Sequence, residues 1–434
     1  MIRSADICNH LYRLARERNG ENVEIELNGV PVLLLQRHED ADHVLRARSD
    51  NYRKNMAWFR QALGASRFSE DGEAWRIRQA LTHGYFTRFD REQTCTLARR
   101  YATQAVDRLM RDSAGGATAL DDGVLRTMTV SVLVENFFGI PYAQTGIDLQ
   151  RIAELMEYGS AYSFVPSGET GRLYLDGLRH LPALRRRVLE DLRIFRDGSV
   201  PAGPMLHDML VADADPASDV VLEHELLTFF AAGAETSAAT AGWALYLLAR
   251  RPQVQERLRQ QAERIASSNE DWGWSELATF DDLADFLSET LRLFPPTPII
   301  ARLAIGPDRI GPHDIAADQN VLISFVGIQH DARLRPDPWS LHADGTARKG
   351  AATGVNTAFS FGPRICGGKH FALVELMAFL TVFLLHARFE LTTQDEPRYH
   401  WKAQMLREGG QPVRVIPISR PVDALATRSG SVVA

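Results

Sequence analysis

One cysteine constrains this chain more than any other feature. Cys366 lies in the stretch Phe359-Ser-Phe-Gly-Pro-Arg-Ile-Cys-Gly-Gly-Lys-His-Phe-Ala-Leu-Val-Glu375, and an apolar helix is expected directly after it. The thiol would then lie at a helix N-terminus, where free N–H groups favour the thiolate that binds a metal or attacks an electrophile. Gly362 and Gly368 would let the backbone approach a flat ligand. By itself a lone cysteine is more often an inert core residue, so its neighbours carry the argument.

Length and composition limit what the chain can be. Its 434 residues, 45% of them hydrophobic, can bury a large core, and no Ser/Gly/Pro-rich linker divides them, so we expect one domain over 1–434. A formal net charge of −6 argues against a nucleic-acid partner. The three cysteines, Cys8, Cys95 and Cys366, are odd in number and far apart, which favours neither a disulfide framework nor a zinc cluster.

The leading residues 1–20 carry many charges and resemble neither a signal peptide nor a spanning helix. They predict a cytoplasmic protein without a membrane anchor. This leading segment and the tail 419–434 are expected to be poorly ordered.

Periodicity predicts a mainly α protein with small β-sheets. Residues 23–36 alternate around Asn28-Gly29, which is typical of a β-hairpin. Helical spacing recurs over 75–86, 92–111, 123–138, 149–162, 178–196, 222–250 and 253–265, and near 280 and 371. Short strands are expected near 299–305, 320–325, 389–393 and 412–415, and loops over 164–172 and 197–219.

The predicted helix 222–250 contains the segment Ala231-Ala-Gly-Ala-Glu-Thr-Ser237 at its centre. Gly233 costs about 1 kcal/mol in a helix interior, so we expect a compensating role, such as opening a groove beside a ligand. The Thr236 hydroxyl can bond back to the Ala232 carbonyl and bend the helix. Standing alone, the segment would fit a crossing of small residues with an exposed Glu235 equally well.

A third pattern is the pair Glu289 and Arg292, which lies on a helix ending at Pro295-Pro296. At i,i+3 the two side chains share a face, and Glu289 borders its apolar side. An exposed pair of this kind contributes only about 0.3–0.5 kcal/mol, so the pattern gains meaning only in order with the other two.

Together these three patterns resemble the cytochrome P450 family, in its soluble bacterial type, over about 38–415. The cysteine stretch matches the family's Phe-x-x-Gly-x-Arg-x-Cys-x-Gly loop, and Ala-Gly-Ala-Glu-Thr-Ser matches its oxygen-binding helix motif. The resemblance implies the single-domain P450 fold. It also implies a haem b whose iron is held by the Cys366 thiolate, which donates electron density that favours O–O cleavage.

The resemblance also assigns further residues. Phe359 would shield the sulfur and Gly368 would border the haem, while Arg364, Arg302 and Trp75 would contact the haem propionates. Glu235 and Thr236 would be catalytic, Thr236 by stabilising the bound oxygen and Glu235 by relaying protons. For Arg364 and Arg302 a solvated arginine, and for Trp75 simple packing, are the alternatives.

Two positions depart from the family pattern. Four residues after Trp75 stands Gln79 instead of the family's usual basic residue, so this second position does not match the family's propionate contact. The family's Glu-x-x-Arg network is completed by an arginine from a later segment, but residues 340–345 contain none, so either Arg348 substitutes or the triad is incomplete.

By the same resemblance the chain is a monooxygenase, of the kind used in secondary metabolism, that inserts one oxygen atom from O₂ into a hydrophobic small molecule. Electrons would come from separate donors, a ferredoxin and its reductase, docking near Lys369 and His370. Alternatives are a peroxide-driven or rearranging member of the fold, or a haem-based sensor or ligand-binding protein. Substrate contacts are expected from 51–68, 156–174, 229–235, 297–300 and 404–407.

Overall fold

The computed structural model describes residues 4–161, 172–343 and 356–418. Its architecture is mainly α-helical with small separate sheets, as the periodicity predicts. The predicted loop 164–172, Arg348 and the tail 419–434 lie wholly or almost wholly outside the described residues.

The helices vary from one turn to about seven turns. In chain order they are α1 Ile7–Arg18, α2 His38–Asp42, α3 Ala57–Leu63, α4 Gly72–Thr87, α5 Arg91–Ala114, α6 Asp122–Phe138, α7 Leu149–Ala161, α8 Arg172–Asp191, α9 Pro204–Ala214, α10 Leu222–Phe229, α11 Glu235–Arg250, α12 Pro252–Ser268, α13 Trp274–Leu277, α14 Asp281–Leu293, α15 Phe325–Gln329 and α16 Lys369–His386. A π-helical turn, Phe230–Ala234, joins α10 to α11 into one central helix.

The strands form one five-stranded sheet and three short two-stranded sheets. They are β1 Val23–Leu27, β2 Val30–Leu35, β3 Tyr52–Arg53, β4 Ile299–Ala304, β5 Asp308–Ile310, β6 His313–Ile315, β7 Asn320–Ser324, β8 Ala387–Leu391, β9 Tyr399–Trp401, β10 Met405–Arg407 and β11 Val413–Pro417. The larger sheet has the order β1-β2-β7-β4-β3, while β5-β6, β9-β10 and β8-β11 are antiparallel pairs. The predicted hairpin is confirmed, with Asn28 and Gly29 at positive φ as a two-residue turn requires.

Two local predictions are wrong. The leading segment is not poorly ordered from residue 4 onward, because α1 buries Ile7, Cys8 and Leu11 completely in the core. The predicted loop 197–219 contains α9, which begins at Pro204 and buries Met205, Leu206 and Met209. In the second case the proline starts the helix at a position that needs no N–H donor, so it is not a loop signal.

The helix after the cysteine, α16, lies in the centre of the fold. Of the described helices it alone is long and apolar enough to cross a membrane, but nearly three quarters of its residues are buried against other helices. Phe371 in its first turn contacts Phe137 of α6 at 4.9 Å between ring centroids. Phe137 in turn contacts Phe229 of α10 at 6.5 Å, so aromatic packing joins α16 to the central helix.

Candidate active site

The cysteine loop is a tight turn followed by a helix, as the sequence predicts. The Cys366 amide donates to the Phe359 carbonyl at 2.9 Å, and α16 begins three residues after the cysteine. Gly362 has φ +77°, and a Cβ there would collide with the Leu45 carbonyl. Gly362 is therefore needed for the turn and its neighbour, whereas no atom lies within 4 Å of a Cβ added at Gly368, which leaves room beside the cysteine.

Cys366 differs from the other two cysteines in its access. Cys8 and Cys95 are buried, whereas Cys366 is exposed next to the open space at Gly368, which we call the cleft. The surrounding protein raises the pKa of the Cys366 thiol, against the expectation of a lowered value. The amides of Gly368 and Lys369 and the charge of Arg67 oppose this rise, so the helix N-terminus acts in the expected direction but does not prevail.

The oxygen-motif segment of the central helix has one accessible face. Ala232 is exposed, and Gly233 and Thr236 are half-buried, although the helix around them is buried. The Thr236 hydroxyl donates to the Ala232 carbonyl at 2.8 Å, as predicted. A Cβ on Gly233 would lie 2.7 Å from Leu133 of α6, so the glycine permits a close helix crossing rather than only opening a groove. The π-helical turn widens the helix at this point, a feature frequent at functional sites.

Glu235 is buried, at 4% exposure, and is not the exposed residue of the packing alternative. Gln404 donates to its Oε2 at 2.7 Å, and Arg126 lies 3.8 Å from its Oε1. Burial raises the pKa of Glu235, while Arg126 lowers it and Asp122 raises it further. A polar cavity of about 130 Å³ borders this carboxyl group. A carboxyl with a raised pKa beside a polar cavity is suited to proton exchange.

A hydrogen bond joins the oxygen-motif helix to the cysteine helix. Ser237, the neighbour of Thr236, donates to Glu375 Oε1 at 2.6 Å. Glu375 is completely buried on α16, its Oε2 has no hydrogen-bond partner, and burial raises its pKa to about 8. The carboxyl is therefore mostly protonated at neutral pH, which lowers the cost of leaving it in the core.

The Glu289–Arg292 pair is buried, as the resemblance implies, and is bidentate at 2.8 Å for both contacts. Arg292 also donates to the backbone carbonyls of Pro338 at 2.5 Å and Ser340 at 2.8 Å. Burial raises the pKa of Glu289, but Arg292 and other donors outweigh this effect and hold it below its usual value. The pair thus fastens α14 to the segment that precedes the cysteine loop.

The third charged residue of this network is Arg335, which no sequence motif indicated. Its Nη1 lies 3.1 Å from Glu289 Oε1, and the His342 amide donates to Oε2 at 3.0 Å. Arg348 lies outside the described residues. Arg335 precedes Pro336, whereas the family pattern directs attention to the segment after it, so no motif singles it out.

The network also reaches the cysteine loop through Gln329. This side chain donates to the carbonyls of Leu291 and Arg292 at 3.4 and 3.3 Å, and it accepts the Thr357 amide at 3.2 Å. Thr357 is two residues before Phe359. The aromatic ring of Phe359 lies 5.8 Å from Lys369 Nζ.

Four cationic side chains lie near one another beside the cleft. Their charge decides whether haem propionates would fit here. They are Lys54, Arg67, Arg302 and Arg364. Burial and the three arginines hold the pKa of Lys54 well below its usual value, and burial lowers the pKa of Arg302 and of Arg364 to about 10. Asp71 is the carboxylate that acts on both arginines. This excess of positive charge, buried at Arg302 and partly buried at the other three residues, fits a ligand with two carboxylates.

The two predicted propionate arginines have incomplete sets of partners. Arg302 is 7% exposed, donates to the Ala301 carbonyl at 2.8 Å, and forms no ion pair with an acid of the described residues. Arg364 stacks on Trp75 at 4.3 Å, which brings two predicted cofactor contacts together, and lies 3.4 Å from Asp71. Lys54 and Arg67 belong to no motif, and they supply positive charge that Gln79 does not.

The predicted substrate segments are only partly described. Residues 162–171 lie outside the described part, as do the side chains of 161 and 172–178. Met405 is buried, with its amide bonded to the Pro296 carbonyl at 2.8 Å. On the outer side of the cysteine loop, Lys369 is half-buried and His370 is exposed.

The comparisons with known proteins match the part of the chain that contains these motifs. The cytochrome P450 family model matches residues 204–412, which include the oxygen motif, Glu289–Arg292 and Cys366. Human cytochrome P450 4F12 is 35% identical over 217 residues, and mouse leukotriene-B4 omega-hydroxylase 3 is 35% identical over 218 residues. Both matches cover 48% of this chain and 40% of the relative, so the matched region is less than half of each protein. These findings support the cytochrome P450 family, whose members bind haem b through a cysteine thiolate.

We predict that Glu289→Ala lowers haem incorporation and the melting temperature, because it leaves Arg292 buried and unpaired at a cost of about 3–5 kcal/mol. The chain supplies a matched control in Glu73 and Arg76, a Glu-x-x-Arg pair on α4 whose side chains are mostly exposed. Glu73→Ala should change neither quantity. Thermal melts and haem-to-protein ratios measure both variants, and equal effects would show that burial of Glu289 is unimportant.

A second prediction concerns pH and Glu375. Because its folded pKa, about 8, is above its usual 4.5, its contribution to stability is complete below about pH 4.5 and is lost as the pH rises through 8. Glu375→Gln should therefore remove part of the fall in melting temperature between pH 5 and 9. Melts of both proteins over this range provide the check. Parallel pH profiles would mean that Glu375 is already ionised at pH 5.

Proposed function

We propose that this chain, as a cytochrome P450, binds haem b through Cys366 and inserts one oxygen atom from O₂ into a hydrophobic small molecule. The observation that carries the proposal is the cleft itself, where Cys366 is accessible, Arg67 lies beside the cysteine loop, and the buried Arg302 forms no ion pair with an acid of the described residues. The bound haem would supply the oxygen chemistry. The chain would hold the haem, exclude water and deliver protons.

One residue would bind the haem iron, and others would bind the haem carboxylates. The Cys366 thiol would lose its proton on binding the iron, because a coordinated thiol is deprotonated. Arg302 and Arg364 would bind the haem carboxylates, and the Trp75 ring supports Arg364 from one face. Phe359 covers the sulfur side of the loop that its own carbonyl helps to close.

Thr236 and Glu235 would handle protons. The Thr236 hydroxyl donates its hydrogen to Ala232, so its oxygen lone pairs remain able to accept a hydrogen bond from water in the cleft. Gln404 fixes Glu235 Oε2, which leaves Oε1 towards Arg126 and the polar cavity. With a raised pKa, this carboxyl would take a proton from the cavity and release it towards Thr236.

The electron donors, substrate and location are further parts of the proposal. Separate donors, a ferredoxin and its reductase, would dock beside the cysteine at Lys369 and His370. One mouse relative is named for leukotriene B4 and omega hydroxylation, which supports a molecule with a long apolar chain. The charges of residues 1–20 support a soluble, cytoplasmic protein. The human and mouse relatives named above give no support to a bacterial type.

The test of haem binding is the spectrum of the reduced carbon monoxide complex. We expect the red-shifted Soret band of thiolate ligation in the wild type and its loss in Cys366→His. Cys95→Ser, which changes a buried cysteine elsewhere, is the matched control and should retain the band. Thiolate spectra in Cys366→Ala would contradict the proposal.

We further predict that Thr236→Ala uncouples turnover. Product formed per reducing equivalent should fall on the order of tenfold, with the difference recovered as peroxide, because a group that positions the proton is lost. Haem and substrate binding should persist, and Thr236→Ser should restore coupling. Thr240→Ala is the control, since Thr240 makes the same back-bond one turn later but is buried.

The assay uses haem-loaded enzyme, a ferredoxin and reductase pair, and a panel of C12 to C20 fatty acids selected by spectral shift. Unchanged coupling in Thr236→Ala would favour the rearranging or peroxide-driven alternative. Spectral shifts without product under any electron donor would favour the sensor.

A further inference from the structure

A second buried ion pair lies outside the site described above. Glu225 on α10 and Arg78 on α4 are both almost completely buried, with Arg78 Nε 3.1 Å from Glu225 Oε1. Arg78 also donates to the carbonyls of Ala74 at 2.9 Å and Asp219 at 2.5 Å. The proposed reaction uses neither side chain, and a buried pair of this kind adds little net stability.

The Glu225 carboxylate also holds the backbone of the segment between α3 and α4. The Arg67 amide lies 3.1 Å from each Glu225 oxygen and donates to them. Gly64, at the start of this segment, has φ +94°, and its Cα packs so closely on the His224 ring that no side chain would fit. Two adjacent residues of α10 therefore hold segment 64–69. His224 packs against Gly64, and Glu225 accepts hydrogen bonds from the Arg67 amide.

Segment 64–69 reaches the cleft through Arg67. Its guanidinium donates to Thr82 at 2.7 Å and would lie 2.7 Å from a Cβ added at Gly367, next to the cysteine. Its charge acts on Lys54 and Arg364 of the cationic group. Phe68, the following residue, is 39% exposed. Any movement of the Arg67 backbone would thus change one wall of the cleft.

We propose that Glu225 is a positioning residue that clamps segment 64–69 to the central helix, and that this clamp controls how fast a bulky hydrophobic ligand reaches the haem. The inference rests on the proposed function, because it takes the cleft to be the haem cleft. It assigns the Arg78–Glu225 pair a role in the geometry of the segment rather than in overall stability.

The charges around Glu225 make the clamp sensitive to pH. Burial raises its pKa to about 7, against the opposing Arg67 amide, Arg78 and the Arg67 charge. On its own helix, His224 has a pKa lowered to about 4 and is neutral, beside Arg185 of α8. Among the described residues, Glu223 on α10 and Asp213 on α9 form a separate group, since both are paired to Arg196. Protonation below about pH 7 would weaken the bond from the Arg67 amide, because charge-assisted bonds are the stronger ones.

The experiment uses haem-loaded protein and compares Glu225→Gln with Glu223→Gln, a neighbouring acid that lies outside the clamp. Hydrogen exchange of residues 64–69 at pH 8 should rise about tenfold in Glu225→Gln only. Stopped-flow binding of 4-phenylimidazole should accelerate several-fold, while binding of carbon monoxide, which is small, should not change. In the wild type, exchange corrected for its intrinsic pH dependence should rise from pH 8 to pH 6, and in Glu225→Gln it should stay level.

If Glu225→Gln does not accumulate because Arg78 is left unpaired, Glu225→Gln/Arg78→Gln allows the same measurements without an orphaned charge. Equal exchange of residues 64–69 in the Glu225 and Glu223 variants, or equal acceleration of both ligands, would overturn the proposal. Absence of the thiolate band from the wild type would instead refute the proposed function, and the exchange data would still decide whether the clamp exists.

Discussion

The hydrogen bond between Ser237 and Glu375 sets the distance between the two parts of the site. Ser237 follows Thr236 on the central helix, and Glu375 lies on the helix that begins at the cysteine loop. Both groups are buried, so separating the helices would leave a hydroxyl and a carboxyl without partners in the core. The close crossing at Gly233 and the aromatic contacts through Phe137 act in the same direction.

Most of the secondary structure was predictable, because strong periodicity reports which face of a helix is buried. The hairpin, the central helix and α14 follow this rule. The errors have local causes. Pro204 was interpreted as a loop residue although it starts α9, and the many charges of residues 1–20 obscured an amphipathic helix whose apolar face is completely buried. Only packing reveals that Gly233 faces Leu133.

The candidate site was predictable where a motif fixes spacing along the chain, and it was missed where residues meet only in three dimensions. The sequence identified Cys366 and the buried Glu289–Arg292 pair through such motifs. Arg335, Lys54 and Arg67 carry no local pattern, and they are recognised only because their charges converge on a carboxylate or on a cleft. A buried excess of charge is a property of the folded chain that no local motif records.

The two halves of the chain contribute differently to the site. The family model begins at residue 204, so the region that it matches supplies the cysteine loop, the oxygen motif and Glu289–Arg292. The first 203 residues supply Lys54, Arg67 and Trp75 at one edge of the cleft, and Arg126 beside Glu235. The relatives therefore support inferences about the chemistry of the site more than inferences about the shape of its substrate-binding part. Glu225 lies at the junction, because it is in the matched region and its carboxylate holds the Arg67 backbone of the unmatched one. Changes in the first half of the chain can reach the cysteine loop through this contact without altering any residue of the three motifs.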